Sequence, residues 1–501
     1  MRAAAAVSPP LSAGAAALFL RLAALLPAES DPWVVGGFLR DALLGRESRD
    51  LDLVVRGDAI SVARQLADAL GGAFVPLDEP HRIARVILGQ GEDGWRVDLS
   101  ALRGDLVEDL GHRDFTINAM AVPLGSLQES DWRASLIDPL GGVQDLQRRL
   151  VRAVGPAVFR EDGVRLLRAV RLASSLGFEI EPATRALMRR DAVVLEGVAG
   201  ERVRDEFLLV LSHTNALGFL LLMDDLGLLS RVLPDLESGR GVTQPKEHAW
   251  DVFTHGLQAV GAVEGLLERR WEPSWALDDV PWNEERRHFF QQVASDGHTR
   301  ATLLKLAGLL HDVGKPATRS VEPSGRIRFR GHHTLGASLA RDALQRLRLS
   351  GRGVQMVEAM VRHHLRPGQL SPDGQLPTPR AVYRYFRDVG DVAVDTVYLN
   401  LADYLAARGP LLERQEWAAY AGKVRAVLEM GLVQKEPQRA HRLLTGDDLM
   451  AALRLPPGPL IGQVLEVLRE AQAAGEVTTQ GEALALARKL LASQAGRGRH
   501  A

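Results

Sequence analysis

The chain has 501 residues, a formal net charge of −2 and no cysteine, which excludes disulfides, zinc–thiolate centres and thiol nucleophiles. Hydrophobic residues make up 46% and charged residues 25%, the balance of an ordinary globular protein. With so little net charge, any nucleic-acid surface must be local, and the length predicts about three domains.

The N-terminus, Ala3 to Ala28, is apolar, but Pro9-Pro10 and Arg21 interrupt it. An amphipathic helix from Ser12 to Leu26 is expected rather than a signal peptide. No uninterrupted apolar run reaches the length of a membrane span, and Leu217 to Met223 is too short; no membrane partner and a cytoplasmic location are expected. Composition and motif shifts predict five segments: an N-terminal extension (1–28), a head (29–135), a helical neck and body (136–240), a histidine-rich helical domain (241–410) and a helical tail (411–501).

Trp33-Val34-Val35 reads as a short strand that delivers the paired glycine Gly36-Gly37. Without side chains there, the backbone can approach a bulky anion, and the N–H groups of the following helix point at it. Leu51 to Val55 reads as a second strand, and its alternation puts Asp50 and Asp52 on one face. Two such carboxylates repel unless a cation lies between them. Beside a phosphate-cradling turn the natural cation is Mg²⁺, bridging carboxylate and phosphate oxygens. An isolated Asp-x-Asp is more often a plain surface pair; the Gly-Gly turn at this short spacing reverses that preference.

A helix is expected from Ile60 to Leu70, stopping at Gly71-Gly72. Strands are expected at 73–75, 85–88 and 95–99, completing a small α/β head. Asp98 lies mid-strand among apolar neighbours, so it needs a partner: it is either a third metal-facing carboxylate or half of a salt bridge or cap. In His112 to Met120, Arg113 is a candidate for a phosphate or ribose. Asp114 and Asn118, four apart, share a face if the segment is helical.

From 136 to 235 the pattern is helical almost throughout. Asp162, Arg165, Arg168 and Arg171 recur at intervals of three, opposite Val164, Leu167, Val170 and Leu172. A charged face is usually just solvated, but this one is mostly arginine in a locally basic stretch, which points to a nucleotide or RNA backbone. Further on come His248 and His255, His311-Asp312, His332-His333, His363-His364 and Asp403. Imidazoles and carboxylates from separate helices can converge on one divalent cation. The tryptophan-bearing stretch between His255 and His311 reads as an insertion. The tail, with a turn at Pro456–Pro459, shows no chemistry, and its end from Ala495 is expected to fray.

Residues 30 to 235 resemble the class II tRNA nucleotidyltransferases, which build the CCA end of tRNA, and the bacterial poly(A) polymerases. The resemblance rests on Gly36-Gly37-x-x-Arg40-Asp41, Asp50-x-Asp52, Arg113-Asp114-Phe115-Thr116-Ile117-Asn118-Ala119, Asp138-Pro139 with Gly141-Gly142, and Glu161-Asp162-x-x-Arg165-x-x-Arg168-x-x-Arg171, with Glu201 to Glu206 similar to the motif that closes the neck. Residues 248 to 408 resemble the HD metal-dependent phosphohydrolase domain. The fold implied is α+β: a polymerase-β-like mixed head, then an all-helical neck, an all-helical HD domain and a helical tail.

By position, the resemblance implies that Asp50 and Asp52, with Asp98, form the catalytic centre. Two Mg²⁺ ions there activate the tRNA 3′-hydroxyl for attack on the α-phosphate of CTP or ATP. Gly36, Gly37 and Arg40 then serve the triphosphate and Arg113 the sugar. Asp162 and Arg165 read the base, and Asp114, Asn118, Arg168 and Arg171 complete the nucleotide site. An aspartate acceptor beside an arginine donor fits the edge of cytosine or adenine. Uracil reverses both groups and loses about 1–3 kcal/mol per mispaired buried group. In the HD part the implied ligands of a divalent metal are His255, His311, Asp312 and Asp403, with His332 and His363 as candidates for further ligands or phosphate contacts.

Three departures bear on the expectation. Gly163 stands where the family has a better helix former, so a helix is expected to begin there, and His112 replaces a common arginine. Only fourteen residues, Leu99 to His112, separate Asp98 from Arg113. Members that add the complete CCA carry a longer flexible loop here, so CC addition is expected. The alternatives are an HD phosphohydrolase whose head clamps RNA, a poly(A) polymerase, whose usual basic extension this tail does not resemble, and a non-catalytic RNA-binding protein.

Overall fold

The computed structural model describes residues 12–497 apart from 81, 90, 92, 93, 130, 373 and 439–442. The chain divides into two compact units, residues 1–202 with 225–231, and residues 203–224 with 232–501. No helix among the described residues is long and apolar enough to cross a membrane. The first helix, Ala13–Leu25, is capped by Ser12, whose hydroxyl accepts from the Ala15 N–H. Pro9-Pro10 lies outside the described residues. The last helix continues through the expected fray as far as Arg497, and 498–501 are not described.

The head of the first unit is one six-stranded sheet: β1 (Trp33–Val35), β2 (Asp50–Val55), β3 (Ala73–Asp78), β4 (Ile83–Leu88), β5 (Trp95–Ala101) and β6 (Ala121–Pro123). The order across the sheet is β3-β4-β5-β2-β1-β6. Only the central β2–β5 pair is parallel, and its register sets Asp52 opposite Asp98 and Asp50 opposite Arg96. On the far side of β2, Val35 is the partner of Asp52, so the turn leaving β1 begins beside that carboxylate.

The helix Ala59–Leu70 is capped by Asp58 and ends at Gly71 with φ +68°. It buries Ala59, Val62, Ala63, Leu66 and Ala67 against the sheet, a stripe at helical spacing. β6 was not expected: three residues ending in proline give no periodic signal. Proline is tolerated there because β6 is an edge strand.

The segment Arg113 to Asn118 departs from the expected helix. It is a single 3-10 turn, Thr116–Asn118, and Asp114 sits before it with its carboxylate accepting from the Phe115 N–H and the Asn118 amide. The neck is helical, as expected, but also contains a parallel strand pair, Leu150–Val151 with Glu179–Ile180.

The second unit is built on the helices Val252–Leu267, Arg300–Leu310, Gly351–His363 and Ala393–Arg408. Two antiparallel strand pairs interrupt this helical region, Val293–Ser295 with His298–Thr299 and Arg319–Val321 with Ile327–Phe329. In the stretch read as an insertion, Trp282 stacks on Phe290 and meets Tyr398 edge-on, and Trp417 donates to the Ala276 carbonyl. Trp282 is therefore a packing residue. The tail helices Gly446–Leu453, Pro459–Ala473 and Gln480–Arg497 share a small core around Leu449, Val464 and Ala487. Arg384 and Arg387 of the helix Pro379–Val389 pair with Glu470 of that tail.

The helix Arg300–Leu310 is buried along its whole length, so its charged residues need internal partners. Lys305 pairs with Glu264 at 3.0 Å, and Arg300 donates to Asp395 and Asp391, each at 2.7 Å. Burial lifts the Asp395 carboxyl to about 7 even though Arg300 pulls it down. Arg300→Met should cost about 3–5 kcal/mol, the usual penalty for stranding one member of a buried pair. Equilibrium urea unfolding measures this, and a loss under ~1 kcal/mol would show that the pair is not coupled to folding.

Two candidate functional sites

The first site is a cavity of about 520 Å³ in the head unit. Every residue singled out there from the sequence lines it, from Gly36, Gly37 and Arg40 through Asp50, Asp52, Asp98, Arg113, Asp114 and Asn118 to Asp162, Arg165, Arg168 and Arg171. Gly36 has φ +76° and ψ −144°, a conformation essentially confined to glycine. A Cβ at this position would overlap the Asp52 carboxylate and lie 3.4 Å from Nη1 of Arg113. The turn is glycine because the acid and the arginine need that space.

The three carboxylates have different surroundings. Asp50 is the most exposed and pairs with Arg96 at 2.6 Å. Asp98 accepts a two-point fork from Arg85, at 2.7 and 2.9 Å; β4 and β5 are paired so that these two residues face each other. Asp98 thus has the salt-bridge partner expected of a mid-strand aspartate, and it also faces the cavity. Burial raises the Asp52 carboxyl, Arg113 and Arg168 pull it down, and Asp98 and Asp50 push it up. A half-buried acid between two acids is a place where a divalent cation would be stabilised, so these residues fit one. Among the described residues, the three do not close into a single three-ligand cluster.

A hydrogen-bonded chain crosses the cavity. Arg40 forks onto Asp41 and gives its remaining Nη1 to Asn118 Oδ1 at 2.8 Å. Asn118 donates to Asp114 at 3.0 Å, and Asp114 pairs with Arg168 at 2.8 Å. Burial would raise Asp114, but Arg168, Asn118 and the Phe115 N–H hold it below the usual carboxylate range. Asp114 and Asn118 therefore tie Arg40 to Arg168.

Asp162 is not on the arginine helix. It follows the short helix Val158–Glu161 in extended backbone, and the next helix, Arg165–Leu176, begins beyond the expected Gly163. A Cβ on Gly163 would lie 2.8 Å from the Val194 carbonyl, so this glycine allows close packing. Arg202, which sequence reasoning left out of the site, forks onto Asp162 at 3.1 and 2.7 Å. Arg165 donates to the carbonyl of His112 at 2.8 Å. Arg85 and Arg103 also line the cavity and were missed. A basic residue on the strand paired with Asp98 was the available signal for Arg85.

The second site lies in the second unit. His255, His311, Asp312 and Asp403 come together so that one ligand atom from each falls within 4.8 Å of the others. The His255 Nε2 is 3.0 Å from Asp403 and 3.3 Å from Asp312, and the His311 Nε2 is 3.2 Å from Asp312. Asp312, His332 and His364 make a second such group. The inward residue of the pair is His364, fully buried. His363 is half-buried and belongs to neither group, so the sequence expectation for it is corrected.

Three of these rings are fixed in the same way. The Nδ1 of His311, His332 and His364 faces the carbonyl three residues earlier, on Gly308, Phe329 and Val361, at 2.7–2.8 Å. An Nδ1–H donating there leaves Nε2 as a lone pair aimed inward, the arrangement that orients imidazole ligands of metals. Burial would lower the His311 imidazole, but Asp312 and Asp403 hold it up at about 10. Burial and His311 push His364 down to about 3. Two buried carboxylates that demand positive charge, ringed by oriented imidazoles, fit a divalent metal.

Family models match along the chain. The poly A polymerase head domain covers residues 32–105 and 90–152, and the probable RNA and SrmB-binding site of polymerase A covers 177–239. The HD domain covers 287–408, and the putative tRNA nucleotidyltransferase domain 2 covers 438–487. The chain is 37% identical to the A-adding tRNA nucleotidyltransferase of Deinococcus radiodurans, over 94% of this chain and 98% of that one. It is 35% identical to the CC-adding tRNA nucleotidyltransferase of Thermus thermophilus, over 91% and 92%. Its fold is similar to that of a CCA-adding enzyme in its apo form, with a TM-score of 0.63, 21% identity and coverage of 96% and 95%. It is also similar to the Thermotoga maritima CCA-adding enzyme complexed with tRNA, with a TM-score of 0.59, 21% identity and 97% of both chains covered. The chain belongs to the tRNA nucleotidyltransferase family, with a poly(A)-polymerase-type head and an HD domain.

Gly36→Ala tests the geometry of the first site. It should cost about 1–3 kcal/mol of stability from backbone strain, read by thermal unfolding. Displacing Asp52 should also lower nucleotide transfer by about 100-fold or more. Transfer near the wild-type level would show that the close approach of Gly36 to Asp52 is unimportant.

Proposed function

We propose that the head adds nucleotides to the 3′ end of tRNA, takes CTP, and stops after two additions. The relatives divide between A-adding and CC-adding enzymes at similar identity, so likeness alone does not choose. The supporting observation is the link after Asp98. It is closed on itself: the Arg103 N–H donates to Asp109, Asp105 caps the helix Leu106–Gly111, and Gly104 packs on Glu108. A link fixed in this way has no slack with which to reshape the pocket from cytosine to adenine, which argues against a complete CCA from one pocket; between the two single-base readings, the shortness of the link after Asp98 favours CC addition.

In this reading Asp50 and Asp52 would hold Mg²⁺, which supplies charge neutralisation for the triphosphate and activation of the 3′-hydroxyl. Arg113, against Gly36 and Asp52, meets the sugar and phosphate side. Arg40, held by Asp41 and Asn118, presents its cationic plane to the triphosphate. Arg202 and the Val164 N–H orient Asp162, whose free lone pairs accept from the exocyclic amine of cytosine. Arg165, braced by the His112 carbonyl, donates to the ring acceptor beside it. A tRNA substrate implies a cytoplasmic enzyme.

The HD cluster supports a second activity, phosphohydrolysis, with His255, His311, Asp312 and Asp403 holding one divalent ion. Because Asp312 also groups with His332 and His364, these three residues would hold a second ion.

Incubation of tRNA lacking its CCA end with Mg²⁺ and single labelled nucleotides should give two CMP additions and none of AMP or UMP; a terminal AMP would overturn the argument from the closed link. Asp52→Ala should abolish incorporation, while Asp312→Ala should leave it intact and remove metal-dependent phosphate release. With the head site removed by Asp52→Ala, Mn²⁺ binding by equilibrium dialysis should fall by about half on adding His364→Ala and be lost on adding Asp312→Ala. Unchanged stoichiometry in His364→Ala would leave a single-ion site.

A further inference from the structure

The tail helix Arg414–Gln438 shows no chemistry in its sequence, yet a chain of hydrogen bonds runs from it to a candidate metal ligand. The Tyr420 hydroxyl donates to Asn400 Oδ1 at 2.8 Å, and Asn400 Nδ2 donates to the His364 carbonyl at 2.9 Å. Asn400 is buried on the helix Ala393–Arg408, one turn before Asp403. A buried amide needs partners at both of its ends, and here Tyr420 serves one and His364 the other. Only this orientation of the amide works, because a flipped one would set its oxygen against the carbonyl oxygen of His364. Tyr420 is itself held on several sides. Its ring stacks on Tyr404 with centroids 4.2 Å apart, Lys423 lies over it at 5.7 Å, and a Cβ on Gly368 would overlap its hydroxyl.

His364 depends on such an outside hold. It is the C-cap of the helix Gly351–His363, so its carbonyl lies beyond the reach of the helical ladder. Its Nδ1 is fixed on the Val361 carbonyl at 2.7 Å. Its buried Nε2 has no hydrogen-bond partner among the described residues and faces Asp312 Oδ1 at 3.8 Å. A buried imidazole nitrogen left without a partner beside a carboxylate calls for an explanation, and a metal ion supplies one. The Val361 bond sets the tautomer of the ring. The Asn400 bond sets the backbone from which the ring projects.

We propose that Asn400 and Tyr420 are positioning residues for the second ion of the HD centre: they fix the end of the helix Gly351–His363 so that the His364 Nε2 meets that ion. This rests on the reading of Asp312, His332 and His364 as a second metal group. The tail helix thereby sets metal affinity in the HD domain while supplying no ligand itself.

The test is Mn²⁺ binding by equilibrium dialysis to the full-length Asp52→Ala protein, in which the second ion is the one that His364→Ala removes. Asn400→Leu keeps the branched shape and removes both hydrogen bonds. It should weaken the second ion by about tenfold or more and the first by less than about twofold. Tyr420→Phe keeps the stacked ring and removes only the hydroxyl, so a packing role alone would leave the second ion unchanged; it should instead weaken that ion by about threefold. Tyr420→Phe decides the matter if Asn400→Leu does not fold. Equal weakening of both ions by Asn400→Leu would show a general disturbance of the helix that carries Asp403 and would overturn the proposal. So would a second ion bound at the parental affinity in either variant. If His364→Ala leaves the stoichiometry unchanged, the reading of a second ion fails and the positioning role falls with it, and that variant alone tells the two failures apart.

Discussion

The head depends on the register of one strand pair. Because β2 and β5 run parallel with Asp52 opposite Asp98, one half-buried acid lies beside another, with Asp50 two residues away. Like charges at this spacing in a low-dielectric wall are unfavourable unless compensated. The surrounding basic residues follow from that requirement. Arg85 answers Asp98 from the next strand, Arg96 answers Asp50, and Arg113 and Arg168 act on Asp52. Asp52 is the member without a forked arginine, and it lies against the glycine turn. A site in which two acids are neutralised by arginine and the third is left under strain concentrates its demand for a cation at one point.

The second unit solves the same electrostatic problem with imidazole. Asp312 and Asp403 are held ionised in a buried setting, well below the usual carboxylate range, chiefly by His311 against the penalty of burial. The backbone carbonyls of Gly308, Phe329 and Val361 fix three of the ring orientations before any ligand arrives. Such outer hydrogen bonds decide which nitrogen is available, so the two helices and the strand that provide those carbonyls belong to the site as much as the rings. Lys315 adds a cation 2.5 Å from Asp312.

Much of this was legible in the sequence because it is carried by short periods. Alternation along Asp50 to Val55 set both acids on one face, and the paired glycine announced a close approach. The α+β class, the nucleotidyltransferase head and the HD histidines followed from those local signals together with the family resemblance. What was not legible depends on where elements end and which strands pair. Arg85 and Arg96 gain their roles only from the order β4-β5-β2. His363 was preferred to His364 because adjacent histidines look alike in a sequence. Yet Val357, Met360 and Val361 are buried, and a helix continues that stripe to 364 rather than 363. The helical period therefore points to His364.

The segment from Asp162 to Arg171 shows why a helical stripe can mislead. Asp162, Arg165, Arg168 and Arg171 share a spacing of three, but only the arginines are on one helix. Asp162 sits in extended backbone at φ −151°, where its carboxylate is free of the helical ladder and available to Arg202 from a different helix. Gly163 makes this break possible by letting the chain pass close to the Val194 carbonyl. An aspartate on the helix itself would have been confined to the solvent direction of its own turn. Placed one step before the helix and forked by Arg202, it faces the cavity as a fixed acceptor, while Arg165 is a fixed donor tied to His112. An acceptor and a donor are thereby both held rigidly at once. The departure from a continuous helix at Gly163 is what holds them.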